Sequence, residues 1–155
     1  MTRSNSQPFT RWHVVLLKFL RKLITTTNIG LLRISRGRLG NSFLGVPVLL
    51  LTTTGRKSGQ PRTQPLYFLE SDSQLILVAS NAGTAQDPSW LLNLCAQPIV
   101  TVNVRGQTRQ MKGHVASPEE KAVLWPQLTQ LFPQWQMMED RSGRAFKVVV
   151  LESLN

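Results

Sequence analysis

The sequence predicts an α+β protein that is mainly β, in which about six antiparallel strands form a small closed or nearly closed barrel. Short apolar segments separated by turn residues recur from position 46 onward, which is typical of strands joined by hairpins. Helical periodicity is confined to the N-terminus and to two brief segments between strands, so short helices are expected to pack on the barrel. With 155 residues, 41% of them apolar, the chain is most simply one domain with its own core.

Residues 1–44 differ from the predicted barrel, residues 45–155, in charge and periodicity. Apolar side chains recur at helical spacing from Phe9 to Ile24, with Lys and Arg on the opposite face, which predicts a basic amphipathic helix. This helix either docks on the barrel or lies on an anionic bilayer, since no apolar stretch is long enough to span a membrane. Lys18 interrupts the apolar run, so we expect no signal peptide and a cytoplasmic location, with peripheral membrane contact as the alternative.

Six strands are predicted from the apolar segments and their turn residues. They cover Val46–Thr54, Arg62–Leu69, Gln74–Ser80, Ile99–Val104, Thr108–Ala116 and Phe146–Glu152.

Two short helices are predicted between these strands from their start signals. Asp87 as the N-cap and proline at the first helical position predict a helix over Pro88–Ala96. The pattern Ser117–Glu120 predicts a capping box that opens a second helix, which Pro133 should terminate.

The turn between the first two predicted strands concentrates hydrogen-bond donors and positive charge. Gly55 and Gly59 permit a tight turn with exposed backbone N–H groups, and no acidic residue occurs from Leu49 to Arg62. The hydroxyl and cationic side chains in this stretch are Thr52, Thr53, Thr54, Ser58, Arg56, Lys57 and Arg62. Both a solvated hairpin turn and a site for a phosphate or carboxylate are compatible with this composition. The spacing matches neither a nucleotide-hydrolase phosphate loop nor a dinucleotide-binding glycine motif.

The charge distribution indicates an anionic partner. The formal net charge is +10, and eleven Lys or Arg residues precede Glu70, where the first of the eight acidic residues occurs. Nucleic acid, an acidic membrane and a polyanionic small molecule are the candidate partners. Aromatic residues for base stacking are scarce in the Arg-rich connection, so specific nucleic-acid binding is not expected. The two histidines, His13 and His114, are far apart in sequence, and a metal site is not expected.

Several motifs of this chain agree in order and spacing with those of a known family. They are Leu50–Arg62, Pro65–Tyr67, Val78–Asn81, Pro88–Leu94 and Val148–Glu152. In these segments the chain resembles the deazaflavin (F-420)-dependent nitroreductase and quinone reductase family. The resemblance implies a split β-barrel of the FMN-binding-like type and the coenzyme F-420 as cofactor, with FMN as the alternative.

The resemblance also implies which residues contact the cofactor. Residues expected at the phosphodiester and oligoglutamate tail are Thr54, Gly55, Arg56, Lys57, Ser58 and Arg62. Residues expected around the deazaflavin ring are Pro65, Val78, Ala79, Ser80, Asn81, Trp90 and Asn93. Without the family pattern, the last two are more simply interpreted as a core aromatic residue and a helix-surface amide.

The implied chemistry is hydride transfer from reduced F-420 to a small organic acceptor such as a quinone or a nitro compound. No protein nucleophile is required, and Cys95 is expected to be an inert packed thiol. Ser80 is the candidate donor that orients the acceptor. The substrate pocket is expected at Phe132, Trp135 and Met138, where well-known family members carry tyrosines. This departure predicts a more apolar pocket and a hydrophobic acceptor.

Two other functions remain open at the level of sequence. The barrel could hold a flavin, a deazaflavin or an acidic lipid without turnover, and the basic N-terminal half could bind nucleic acid. The oligomeric state is not determined by these patterns.

Overall fold

The computed structural model of the chain describes residues 42, 43 and 45–154. The predicted helix at Phe9–Ile24 and the connection after it therefore lie outside the described residues, apart from positions 42 and 43. The strands are β1 (Ser42–Phe43), β2 (Val46–Thr54), β3 (Pro61–Ser71), β4 (Gln74–Val78), β5 (Ile99–Val104), β6 (Gln107–Val115) and β7 (Val148–Ser153). The helices of the described part are α1 (Ser89–Ala96), α2 (Pro118–Leu131) and α3 (Gln134–Ser142).

Six of these strands close into an antiparallel barrel, as the sequence predicts. The sheet runs β1-β2-β3-β4-β7-β6-β5, and β2 pairs with β5 as well as with β3, which joins the two ends of the sheet. The pairs Leu50↔Asn103, Leu51↔Val102 and Thr52↔Thr101 form this closing seam. The two-residue strand β1 extends the sheet beside β2 and is not one of the six barrel strands.

The barrel interior is filled by alternate side chains of its strands and by one face of α1. Trp90, Leu91 and Leu94 of α1 belong to the same buried cluster as Leu49 and Leu51 of β2. Gly113 on β6 makes room for this helix, since a Cβ atom there would lie 2.7 Å from Leu94 Cδ1 and 2.9 Å from Leu151 Cδ2. The helix α1 is therefore part of the barrel core.

Strands β4 and β7 are buried on both faces. Leu75 and Leu77 point into the barrel, whereas Ile76 and Val78 belong to a second cluster with side chains of α2 and α3. This two-sided burial explains why both strands are continuous apolar runs without alternation of polar residues.

The helix starts differ from the predictions in two places. The capping box of α2 is confirmed, with the Ser117 side chain accepting from the Glu120 N–H and the Glu120 side chain accepting from the Ser117 N–H. At α1 the N-cap is Pro88 and not Asp87, because the Asp87 carboxylate pairs with Arg144 and Lys147. Pro133 ends α2 as expected, but it is also the N-cap of α3, which the sequence patterns did not predict.

Candidate functional site

The basic turn joins β2 to β3 and is folded by hydrogen bonds within its own backbone. The Gly55 N–H donates to the Gln60 carbonyl at 2.8 Å, and the Gly59 N–H donates to the Gly55 carbonyl at 2.7 Å. Gly59 has a φ of 65°, so its need for glycine is conformational. At Gly55 the need is steric, because a Cβ atom would lie 2.7 Å from Ser58 Oγ and 3.1 Å from the Gln60 carbonyl oxygen.

Asn93 on α1 connects the helix to the start of this turn. Its Oδ1 accepts from the Arg56 backbone N–H at 3.1 Å and from Arg56 Nη1 at 3.3 Å. Its Nδ2 donates to Thr53 Oγ1 at 3.2 Å, and both side chains are buried. Asn93 therefore fixes the position of Arg56, and the helix-surface interpretation of this amide is wrong.

The three threonines of β2 alternate between the two faces of the strand. Thr53 points toward α1, whereas Thr52 Oγ1 lies 2.8 Å from Thr63 Oγ1 of the neighbouring strand. Two of the three hydroxyls are thus engaged within the protein.

A cleft of ≈ 420 Å³ lies between the basic turn, β3 and α1, and we call it the basic cleft. Its lining residues are Thr53, Gly55, Arg56, Lys57, Ser58, Arg62, Thr63, Gln64, Ser89, Trp90 and Asn93. The structure therefore brings together seven of the predicted cofactor residues: Gly55, Arg56, Lys57, Ser58, Arg62, Trp90 and Asn93. Of the other four, Thr53 was noted only as a hydroxyl of the donor-rich stretch, and Thr63, Gln64 and Ser89 were missed because their polar side chains gave no signal of a site.

The cations of the basic cleft are not neutralised by carboxylates in the described part of the chain. Every Lys or Arg ion pair there involves Lys121, Arg144 or Lys147, so Arg56, Lys57 and Arg62 have no acidic partner. All three are exposed, and no acidic residue lines the cleft. This arrangement fits a ligand with several negative charges, such as a phosphodiester or a carboxylate chain.

The remaining predicted cofactor residues lie outside the lining of the basic cleft. Thr54 and Pro65 are half-buried positions on β2 and β3. Val78 ends β4 beneath α2 and α3, whereas Ala79 is fully buried in the barrel interior, in the cluster that contains Trp90. Ser80 is half-buried and Asn81 is exposed in the segment that follows, so these two have side chains within reach of a small molecule.

The segment Ala79–Asp87 joins β4 to α1 and is held by Arg144. Asn81 and Ala82 have φ values of 46° and 54°, a left-handed conformation that asparagine tolerates but that is costly for alanine. The Arg144 guanidinium donates to the carbonyls of this segment and to the Asp87 carboxylate. No pattern in the sequence indicated a role for Arg144.

The residues predicted for the substrate pocket lie on α3 and at its start. Phe132 and Trp135 are buried and form an aromatic cluster with Tyr67, with ring centroids 4.9 and 6.4 Å from the tyrosine ring. Burial raises the pKa of the Tyr67 phenol above its ordinary value. Met138 is half-buried against Gly83, so α3 packs directly on the segment that carries Ser80.

Cys95 is the single cysteine of the chain, and it is exposed. It lies on the face of α1 that points away from the barrel interior, so its assignment as a packed thiol is wrong.

Within the described residues, no group of three or more His, Cys, Asp or Glu side chains converges as metal ligands would. None of the helices described combines the length and apolar character needed to cross a bilayer.

Comparison with known proteins places these features in a family. The sequence profile of the F-420H2-dependent quinone reductases matches residues 25–153. The chain belongs to this family. A Mycobacterium tuberculosis protein named as an F-420H2-dependent quinone reductase is 33% identical over 121 residues, which cover 76% of this chain and 81% of that protein.

Solved structures of similar proteins agree with the F-420H2-dependent quinone reductase family. A structure described as an F-420H2-dependent reductase superposes with a TM-score of 0.64 at 30% identity, covering 68% of this chain and 94% of that one. A second, described as a domain-swapped dimer, has a TM-score of 0.66 at 27% identity and covers 88% and 98% of the two chains. The split-barrel fold and the family predicted from sequence motifs are both confirmed.

Proposed function

We propose that this protein binds F-420 through the basic cleft and transfers a hydride from the reduced cofactor to a quinone-type acceptor. The observation that carries the proposal is the cluster of Arg56, Lys57 and Arg62, which has no carboxylate partner in the described part of the chain and lines a cleft. The family supplies the identity of the anion, since its members are F-420H2-dependent.

The cationic side chains would hold the acidic tail of F-420. Arg56 is already oriented by Asn93, so less conformational freedom is lost when it binds a carboxylate or phosphate oxygen. Ser58 and Thr54 would donate their hydroxyls to the phosphodiester. The Gly55 N–H is already bound to the Gln60 carbonyl, so Gly55 would contribute by allowing the tight turn and not as a donor.

The ring of the cofactor would lie between the basic cleft and the segment after β4. Trp90 lines the cleft and shares the interior cluster with Ala79, so these two residues connect the two regions. Val78, Ser80, Asn81, Pro65 and Asn93 complete the set proposed for the ring. Reduced F-420, when bound, supplies a hydride, and the protein binds it, orients it and excludes water.

Ser80 would orient the acceptor, and the acceptor would be hydrophobic. The Ser80 side chain is accessible at the edge of the segment that α3 covers. Phe132, Trp135 and Met138 offer no hydroxyl donor, and the chain has a single tyrosine, Tyr67, within the aromatic cluster. A quinone with an apolar substituent fits these surroundings better than a nitro compound, which is the alternative acceptor.

Equilibrium titration with oxidised F-420 and with FMN tests the binding step. Arg56→Gln and Lys57→Gln should each weaken F-420 binding by about tenfold, because each removes one charge-assisted contact. The matched controls are Arg109→Gln and Lys112→Gln, two exposed cations on β6 that do not line the cleft. An equal loss of F-420 affinity in the cleft variants and in the β6 control variants, or tighter binding of FMN than of F-420, would contradict the proposal.

Turnover separates the enzyme from a binding module built on the same barrel. The protein with reduced F-420 should oxidise it when a menaquinone analogue is added, and more slowly with a nitroaromatic compound. Binding of F-420 without oxidation by either acceptor would show a non-catalytic carrier.

We further propose that the basic segment Phe9–Ile24 contacts the anionic cytoplasmic face of a membrane, where apolar quinones are dissolved. The support is the excess of cations before Glu70 together with the amphipathic pattern. Protein should co-sediment with vesicles containing phosphatidylglycerol but not with pure phosphatidylcholine. A variant with Lys18, Arg21 and Lys22 changed to Gln should lose this binding, whereas the matched triple change of Arg105, Arg109 and Lys112 should retain it.

A further inference from the structure

We propose that Arg144 is a positioning residue that sets the conformation of the segment Ala79–Asp87 and thereby the direction of the Ser80 hydroxyl. This inference rests on the proposed function, in which Ser80 orients the acceptor. Arg144 itself does not line the basic cleft, so its role would be exerted through the segment that it binds.

The hydrogen bonds of the Arg144 guanidinium are all to this one segment. Nε donates to the Thr84 carbonyl at 3.2 Å, and Nη2 donates to the Ala79 carbonyl at 3.3 Å and to the Ser80 carbonyl at 3.1 Å. Nη1 donates to Asp87 Oδ1 at 2.7 Å. One side chain thus connects the first and last residues of the segment to its middle, and only a planar group with several donors can do this.

The segment needs such support because its backbone is strained. Asn81 and Ala82 are held at positive φ, and alanine in particular keeps this conformation only when the surroundings impose it. Local contacts already restrain these residues: Asn81 Nδ2 donates to the Gln86 carbonyl at 3.0 Å, the Gly83 N–H donates to the Ser80 carbonyl at 2.9 Å, and Met138 packs on Gly83. A further restraint from outside the segment is the hydrogen bonding of Arg144 to the Ala79 and Ser80 carbonyls. Without it the segment is expected to relax and to turn Ser80.

Arg144 is itself held in place by the end of α3 and by its neighbours. Gly143 ends the helix at a φ of 62°, and the Ser142 hydroxyl accepts from the Arg144 N–H at 3.2 Å. The guanidinium lies 4.7 Å above the centroid of the Phe146 ring, and the side chain is 17% exposed. Its charge is partly balanced by Asp87, which also accepts from Lys147 at 2.7 Å.

A double-mutant cycle on Arg144 and Ser80 tests the inference in the full chain, with reduced F-420 and a menaquinone analogue. Arg144→Gln should lower kcat by about tenfold or more, because misplacement of an orienting group by a small distance costs this much. Its affinity for oxidised F-420 should fall by a smaller factor than kcat, because the tail-binding side chains of the basic cleft lie on other elements and only the ring contacts proposed for Ala79, Ser80 and Asn81 would be disturbed. Ser80→Ala should also lower kcat, and the double variant should be no slower than the slower single variant.

Further variants distinguish this role from a general loss of stability. Arg144→Lys keeps the charge and should restore part of kcat only, since one ammonium group cannot bind all four acceptors. Lys147→Gln removes the other partner of Asp87 and should leave kcat unchanged. Hydrogen exchange in Arg144→Gln should accelerate at residues 80–87 and not in the barrel strands.

The outcomes separate the inference from the proposed function. A wild-type protein that neither binds nor oxidises reduced F-420 would overturn the proposed function itself. Wild-type turnover with an unchanged kcat in Arg144→Gln would overturn the role of Arg144 alone. Independent, multiplicative losses in the double variant would show that Arg144 does not act through Ser80.

Discussion

At the scale of single residues, Asn93 shows how one buried amide can organise a charged turn. Its Nδ2 donates to Thr53 Oγ1 on the barrel, and its Oδ1 accepts from the Arg56 backbone N–H in the turn. The family motif indicated that this position matters, but the residue alone suggested a surface amide. The expectation differed from the structure because one face of α1 packs in the barrel core. The helical periodicity of a short segment does not show which of its faces is covered by other elements.

Removing this amide should affect stability and ligand binding together. Asn93→Ala leaves the buried Thr53 hydroxyl and the Arg56 N–H without their partner, at a cost of about 1–3 kcal/mol in the free energy of unfolding. F-420 should also bind more weakly, because Arg56 loses its orientation. Urea denaturation and cofactor titration measure the two effects. Cys95→Ala, an exposed change on the same helix, should alter neither; unaltered F-420 affinity in Asn93→Ala would contradict the role given to this amide.

At the scale of elements, the start of α2 links stability to pH. The backbone N–H of Ser117 donates to Glu120 Oε2 at 2.7 Å, and His114 Nε2 lies 3.2 Å from Glu120 Oε1. The first of these hydrogen bonds, and then the contact with His114, lowers the pKa of the Glu120 carboxyl. A lowered folded-state pKa means that the ionised carboxylate stabilises the folded protein above its ordinary pKa, and that this contribution is lost as pH falls through the lower value.

The variant Glu120→Gln isolates this effect, because glutamine can still accept the capping hydrogen bond. Wild type should be more stable than the variant at pH 7, and the difference should shrink as pH falls through and below the ordinary titration range of a carboxyl group, as the wild-type carboxylate becomes protonated. Urea midpoints of both proteins across this range measure the difference. If the urea midpoints of wild type and variant differ by the same amount at every pH, the charge of Glu120 is not the cause of the difference in stability.

Element boundaries were predicted with uneven success, and each difference has a physical reason. Ile99–Val104 agrees with β5 at both ends, because apolar and polar residues alternate there and turn residues flank it. The predicted third strand was too long, since Ala79 and Ser80 leave β4 to bind Arg144 through their carbonyls. The helix α3 was missed because Pro133 was interpreted as a break, although proline is equally suited to begin a helix.

At the scale of the whole molecule, the strand order was beyond what the sequence patterns could predict. Alternation tells which residues face inward, and short turns identify hairpins such as β5–β6. Neither observation indicates that β2 pairs with β5 or that β4 pairs with β7, since these partners are distant in sequence. The local patterns predicted a closed or nearly closed barrel, and the family resemblance specified it as a split barrel. The basic turn was likewise predicted from composition, but the composition did not indicate that the turn and α1 form two sides of one cleft.

The overall excess of positive charge should make cofactor binding depend on ionic strength. F-420 carries an oligoglutamate tail and FMN a single phosphate, so screening should weaken F-420 binding more steeply than FMN binding. Titrations at about 50 mM and about 300 mM salt give the two slopes. Replacing Arg62 by Gln should flatten the slope for F-420, and the matched change Arg109→Gln should not. Identical slopes for both ligands would contradict tail recognition by charge.

The closing seam between β2 and β5 consists of only three residue pairs, whereas β2 and β3 share seven. The basic turn leaves the end of β2, and α1 leads into β5, so the basic cleft has one wall on each side of the seam. A ligand that touches both walls would resist the separation of β2 from β5. The coenzyme would then stabilise the closed barrel as well as take part in the reaction, and its binding should raise the temperature at which the barrel unfolds.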